Sequence, residues 1–165
     1  MSEQLGLFGD GLPEQVRCLS FWSPYGQLIV DRIKTIETRK HNRLAVGWCV
    51  VHVAKKIDHE AVDRLLHGSS VRVANAVEGY LTYDKSWRRW QCADAGKLIG
   101  LVWIGESGQL RAEDEQAACI YEPGLVAYPL SKARRFAHPI EGVKGHQGPW
   151  YISREHIVSA LEGSS

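Results

Sequence analysis

Residues 21–43 read FWSPYGQLIVDRIKTIETRKHNR, an apolar strand end, a short helix, and then a close alternation of ionic and apolar side chains. Ser23 followed by Pro24 predicts a helix start: a side-chain oxygen to cap free backbone donors, then proline at the first helical position. Tyr25, Leu28, Ile29 and Ile33 recur at helical spacing, which makes one face of that helix apolar. Lys34, Thr35, Glu37, Thr38, Arg39, Lys40 and Arg43 follow, several alternating with Ile36. A helix resting on a core would deliver a lysine, a glutamate and an arginine to one small region. A fold does not require that arrangement, whereas a site does.

Lys34, Glu37 and Arg39 match the G-x-K-x-x-E-x-R signature of the ASCH family of PUA-like domains, which this stretch resembles, with Arg32 in the place of the glycine. Downstream, Pro139 to Ile152, PIEGVKGHQGPWYI, resembles the family's closing P-x-x-x-K-G-x-Q-G-x-W strand. GWCVVHVAKK and GKLIGLVWIGES, lying between the two, are similar to its central strands. The resemblance covers residues 18–154. It implies an α+β fold: a PUA-like small β-barrel of five to six strands with short helices around it. It also implies that the Lys144 loop closes over the same cleft as Lys34.

Bulk properties agree with a small domain. A chain of 165 residues suits one domain and buries about 70% of its unfolded surface. Residues 1–17, with three glycines and a proline, read as a flexible tail, and residues 18–165 as the single domain. A hydrophobic share of 44% with 24% charged residues argues against disorder. No apolar run approaches the ~20 residues that cross a bilayer, and the start lacks a basic-then-apolar signal, so a cytoplasmic address and no membrane partner are expected. Cys18, Cys49, Cys92 and Cys119 are scattered without a C-x-x-C, as reduced structural thiols are.

Further strands are expected at Arg17 to Phe21, in WCVVHVA after Gly47, at Lys97 to Ile104, Leu125 to Leu130 and Trp150 to Ile152. Helices are expected at Ile57 to Leu66 and Ser153 to Leu161, with one or two turns within 113–121. Val71 to Tyr83 fits either a strand or a short helix.

Net charge is only +1, so whole-molecule attraction to polyanions is weak. Its distribution is uneven: Arg32, Lys34, Arg39, Lys40 and Arg43 face one acid, Glu37, within twelve residues. Such a group holds phosphate or a carbonyl oxygen while the carboxylate accepts a base amine. The structural alternative is a Glu37–Arg39 ion pair fastening the helix, with Lys34 at the helix end. Bases stack on aromatic rings, and Trp22 lies beside Pro24 near the motif, although the core is the simpler place for Trp22, Trp48, Trp103 and Trp150. Trp87 and Trp90 flank Arg88 and Arg89 in a loop suited to grip a single strand. Lys144, His146 and Gln147 lie between Gly142, Gly145 and Gly148, where glycine lets backbone donors approach a ligand.

Three functions are open. One is a binding module for RNA, single-stranded nucleic acid or a modified nucleoside, in a cleft formed by Lys34, Glu37, Arg39 and Lys144. A second is a metal-independent hydrolase, an N4-acylcytidine amidohydrolase or a ribonuclease, as the resemblance implies. Its catalytic set would be Lys34, Thr35 and Glu37; Glu37 stands where those amidohydrolases carry threonine, which leaves Thr35 or Thr38 as the hydroxyl. Their glutamate lies further on, where Glu106, Glu113 or Glu115 qualifies. The third is an adaptor. Gln4, Leu5, Leu7 and Phe8 resemble the Q-L-x-L-F peptide by which bacterial proteins dock on the DNA sliding clamp. The seven histidines show no ligand spacing, so neither a metal nor a cofactor is expected.

Overall fold

The computed structural model describes residues 11–162. Gln4, Leu5, Leu7 and Phe8 lie outside the described residues. The fold is mixed α+β, built on a seven-stranded sheet with helices on both faces. Strand β1 (Gln15–Ser23) is longer than the expected Arg17 to Phe21. It leads through α1 (Tyr25–Val30) and β2 (Ile36–Arg39) to β3 (Gly47–Ile57). Then come α2 (His59–Gly68), α3 (Val71–Tyr80) and a hairpin of β4 (Leu81–Asp84) and β5 (Arg89–Cys92). Strands β6 (Leu98–Ile104) and β7 (Gly108–Gln109) precede a 3-10 turn and α4 (Glu115–Ala118). The long β8 (Val126–Ile140), β9 (Trp150–Ser153) and α5 (Arg154–Glu162) complete the chain.

The strand order is β2-β8-β6-β3-β1-β9, with β7 beside β8. The pair β1–β3 is parallel, and β1–β9, β3–β6, β6–β8 and β2–β8 are antiparallel. The expected closed barrel of five to six strands is corrected here. Closure needs hydrogen bonds between β2 and β9, but among the described residues β2 pairs only with β8 and β9 only with β1. Both are four-residue strands at opposite ends of the strand order, and neither pairs with the other among the described residues.

Alternation along β1 and β3 divides the core. Leu19, Phe21, Cys49, Val51 and Val53 face α1, while Val16, Cys18, Trp48 and Val50 pack with Ile157 and Ala160 of α5. The start of α1 also differs from expectation. Ser23 is still in β1, paired with Ile57, and it caps no amide; its Oγ accepts from Gln27 Nε2 at 3.1 Å. Pro24, buried, occupies the N-cap position instead. The helix ends at Val30, and Arg32 adopts φ +60, the left-handed backbone that favours glycine. The position at which the resembling signature carries glycine thus has a backbone conformation that favours glycine. An arginine holds it, its Nε donating to Ala133 O at 2.7 Å.

Candidate functional site

The sheet carries two clusters of chemistry-bearing side chains, one on each face. The first is built by β2 and α4. A short helix leaves its last carbonyls without intrahelical donors. Here Thr35 N donates to Ala117 O at 2.9 Å, and Lys34 Nζ donates to Ala118 O. Lys34 is 2% exposed, its Nζ 3.7 Å from Glu37 Oε2 and 5.3 Å from the Tyr25 ring centre. Burial lowers the lysine's pKa, against the opposing pull of the Glu37 carboxylate. Arg39 Nε lies 2.9 Å from Glu37 Oε1, an ionic contact not aligned as a hydrogen bond, and its guanidinium rests 5.5 Å from the Phe21 ring centre.

Lys34, Glu37 and Arg39 therefore form one chain of charge, as their spacing predicted. The lysine, however, is turned into the protein. Thr35 and Lys34 line a small hollow of about 200 Å³ with Arg32, Ser131 and Lys132. Lys40 and Arg43 are exposed on the β2–β3 connection and line no described hollow. Glu106 and Glu113 are exposed, and Glu115 opens α4; the acid at Lys34 is Glu37.

The second cluster lies on the α5 face. The parallel register sets Ser20 beside His52, and Ser20 Oγ is 2.8 Å from His52 Nδ1. His52 Nε2 faces Val143 O at 3.4 Å, and the ring stands edge-on to Trp150 with centroids 5.3 Å apart. Only 2% exposed, His52 has its pKa lowered by burial. Loop 141–149 lies over this pair, forming a hollow of about 690 Å³ whose floor includes Ser20 and His52. Lys55, Lys144, His146 and Gln147 complete its polar lining, which contains no carboxylate. The nearest acid on the loop, Glu141, is held by Lys97 at 3.0 Å.

This arrangement separates residues that the sequence placed together. Lys144 and Gln147 share a hollow with His52 and not with Lys34, because residues 18–20 and 50–52 alternate and the loop covers the other face. Trp22 is 45% exposed rather than in the core, and Lys56 Nζ sits 4.0 Å above its ring. Trp48 is buried, while Trp103 and Trp150 are partly buried. The W-R-R-W segment is the β4–β5 hairpin. Trp87 is 73% exposed with Arg89 5.9 Å from its ring centre, Trp90 packs on Tyr83, and Arg88 and Arg89 line neither hollow. Ser20 and His52 escaped the sequence reading. Their one signal is a polar residue interrupting each of two strongly apolar strands, in QVRCLSFW and GWCVVHVA.

Among the described residues no cluster of three metal-ligating side chains occurs, and no helix is long and apolar enough to cross a membrane. No family model matches the sequence, and no curated protein matches it. A solved structure does: the ASCH protein of Zymomonas mobilis, at 14% identity and TM-score 0.52, covering 87% of this chain and 91% of that one. A serine-to-alanine variant of that protein aligns at 12% identity and TM-score 0.46, over 90% and 98% of the two chains. The fold of this chain is ASCH-like.

Proposed function

We propose that this ASCH-like domain binds single-stranded RNA, or a phosphate-bearing modified nucleoside, in the hollow beneath the Gly142–Gly148 loop. One observation carries the reading: the lining supplies two lysines, two histidines and a glutamine, and no acid opposes them. Lysines there neutralise phosphate, Gln147 can meet a base edge, and the exposed Trp22 ring stacked by Lys56 offers a base platform nearby. Among the described residues no backbone carbonyl takes a hydrogen bond from an amide of residues 142–148. Amides without a carbonyl partner are open to water or to an anion. This moves the binding role from Lys34 to Lys144 and Lys55.

Lys144→Ala should weaken binding of a fluorescent single-stranded oligoribonucleotide several-fold at low salt. It should also reduce the slope of log K against log salt by about one, as loss of one phosphate contact does. An unchanged affinity and slope in Lys144→Ala and Lys55→Ala would reject the site.

Hydrolysis at Lys34, Thr35 and Glu37 is a second reading, favoured by a buried lysine of lowered pKa sharing a hollow with a hydroxyl. Acetate release from N4-acetylcytidine that disappears in Lys34→Ala is its test; no turnover by the unaltered protein removes it. Clamp docking through residues 1–10 is tested by pull-down with and without those residues.

A further inference from the structure

Ser20 Oγ lies 2.8 Å from His52 Nδ1 on the floor of the hollow beneath loop 141–149. The Val143 carbonyl, 3.4 Å from His52 Nε2, favours the tautomer protonated there, in which the Nδ1 lone pair accepts the Ser20 hydroxyl proton. Burial disfavours the imidazolium, so His52 is neutral and able to take that proton at physiological pH. Trp150 stands edge-on to the ring, and Gly145 lies against its Cε1 and Nδ1. A Cβ at position 145 would stand 2.7 Å from His52 Cε1 and 3.1 Å from Ser20 Oγ. Only glycine lets the loop backbone lie this close to the hydroxyl. The pair faces a hollow large enough for a nucleotide-sized molecule and lined with cations.

We infer that Ser20 and His52 form a nucleophile–base pair that takes the acyl group from a carboxylic ester bearing a phosphate, held in this hollow. Oγ bonds to the carbonyl carbon while its proton passes to His52 Nδ1. Collapse of the adduct breaks the ester C–O bond, and the imidazolium returns the proton to the departing alkoxide. Water, deprotonated by the same nitrogen, then cleaves the seryl ester. Lys55 and Lys144 hold the phosphate. The acyl class follows from what the site holds: one hydroxyl nucleophile beside one base, the pair that acyl transfer through a seryl ester requires. The inference rests on the proposed anion-binding role of the hollow only for its choice of substrate.

A fluorophosphonate reagent, which bonds covalently to activated serines, tests the pair without any nucleic acid. Intact-mass measurement should show one adduct, mapped by peptide analysis to Ser20 and absent from Ser20→Ala. Labelling of His52→Gln should be at least tenfold slower. Its rate in the unaltered protein should rise with pH through a midpoint below the ordinary histidine value of about 6.5. The ionisable groups lining the hollow with His52 are His146, Lys55 and Lys144, none of them acidic. No adduct at Ser20, or equal rates with and without His52, overturns the pair. Should His52→Gln fail to fold, Ser20→Ala, which removes one oxygen, still decides. Hydrolysis of bis(4-nitrophenyl) phosphate with no hydrolysis of 4-nitrophenyl acetate overturns the acyl class. Oligonucleotide binding is read separately in the Lys144 variant, so either reading can fail alone.

Discussion

At the residue scale the instructive group is Lys34. Alternation in the sequence correctly joined it to Glu37 and Arg39, but it could not show that the ammonium points inward. That direction is decided by carbonyls at the end of α4, 84 positions away in sequence from the lysine. The buried charge is stabilised only because a carboxylate and a carbonyl both meet it. Removing the lysine takes from buried Glu37 one of its two cations, Arg39 being the other, and from the Ala118 carbonyl its donor. Lys34→Met should therefore lower the unfolding free energy by about 3 kcal/mol, measured by urea denaturation. Adding Glu37→Gln to that variant should recover part of the loss, since a buried carboxylate short of one of its two cations is then gone. A change below about 0.5 kcal/mol in Lys34→Met would mean that the ammonium reaches solvent and contributes as surface pairs do.

Among elements, β1, β3, β6 and β9 were legible from apolar runs bounded by glycine, and α2 and α5 from helical spacing. The ambiguous segment at Val71 is a helix, α3, capped by Ser70 Oγ, which accepts from Val73 N. Strand β8 was legible only as far as Leu130. Its second half carries Lys132, Arg134 and Arg135, which read as surface, and it owes its extended form to β6 on one side. That pairing depends on a glycine. A Cβ at Gly100 would lie 2.5 Å from both Arg134 O and Val30 Cγ1. The Arg134 oxygen is backbone, so β8 cannot yield cheaply, and Val30 would have to shift with it. Gly100→Ala should destabilise by about 1–3 kcal/mol, the range of overpacked cores, and lower the melting temperature by several degrees. An unaltered melting curve would show that both β8 and α1 give way around the added methyl.

The whole molecule is tied together by one ion-pair network that no local pattern announced. Asp31, just after α1, accepts two hydrogen bonds from Arg135 of β8 at 2.8 and 2.9 Å and one from Tyr80 of α3 at 2.6 Å. Burial would raise the Asp31 carboxyl, but the arginine and tyrosine donors outweigh it and hold the group below its ordinary value. A carboxyl depressed in the folded state contributes stability in full above its unfolded value of about 3.9, and this is lost as pH falls through the lower folded value. Asp31→Asn should thus cost about 1–3 kcal/mol at neutral pH. It should also flatten the acid limb of stability against pH, as seen in thermal melts between about pH 2 and 5. An acid limb identical to that of the unaltered protein would remove Asp31 as its source. The order of strands has a last consequence, for synthesis. Because β1 lies between β3 and β9, one side of the sheet's interior strand stays bare until residues 150–153 have been made. A nascent chain halted before Trp150 would expose the ladder of Gln15–Cys18 as a raw edge, open to any extended peptide that reaches it first.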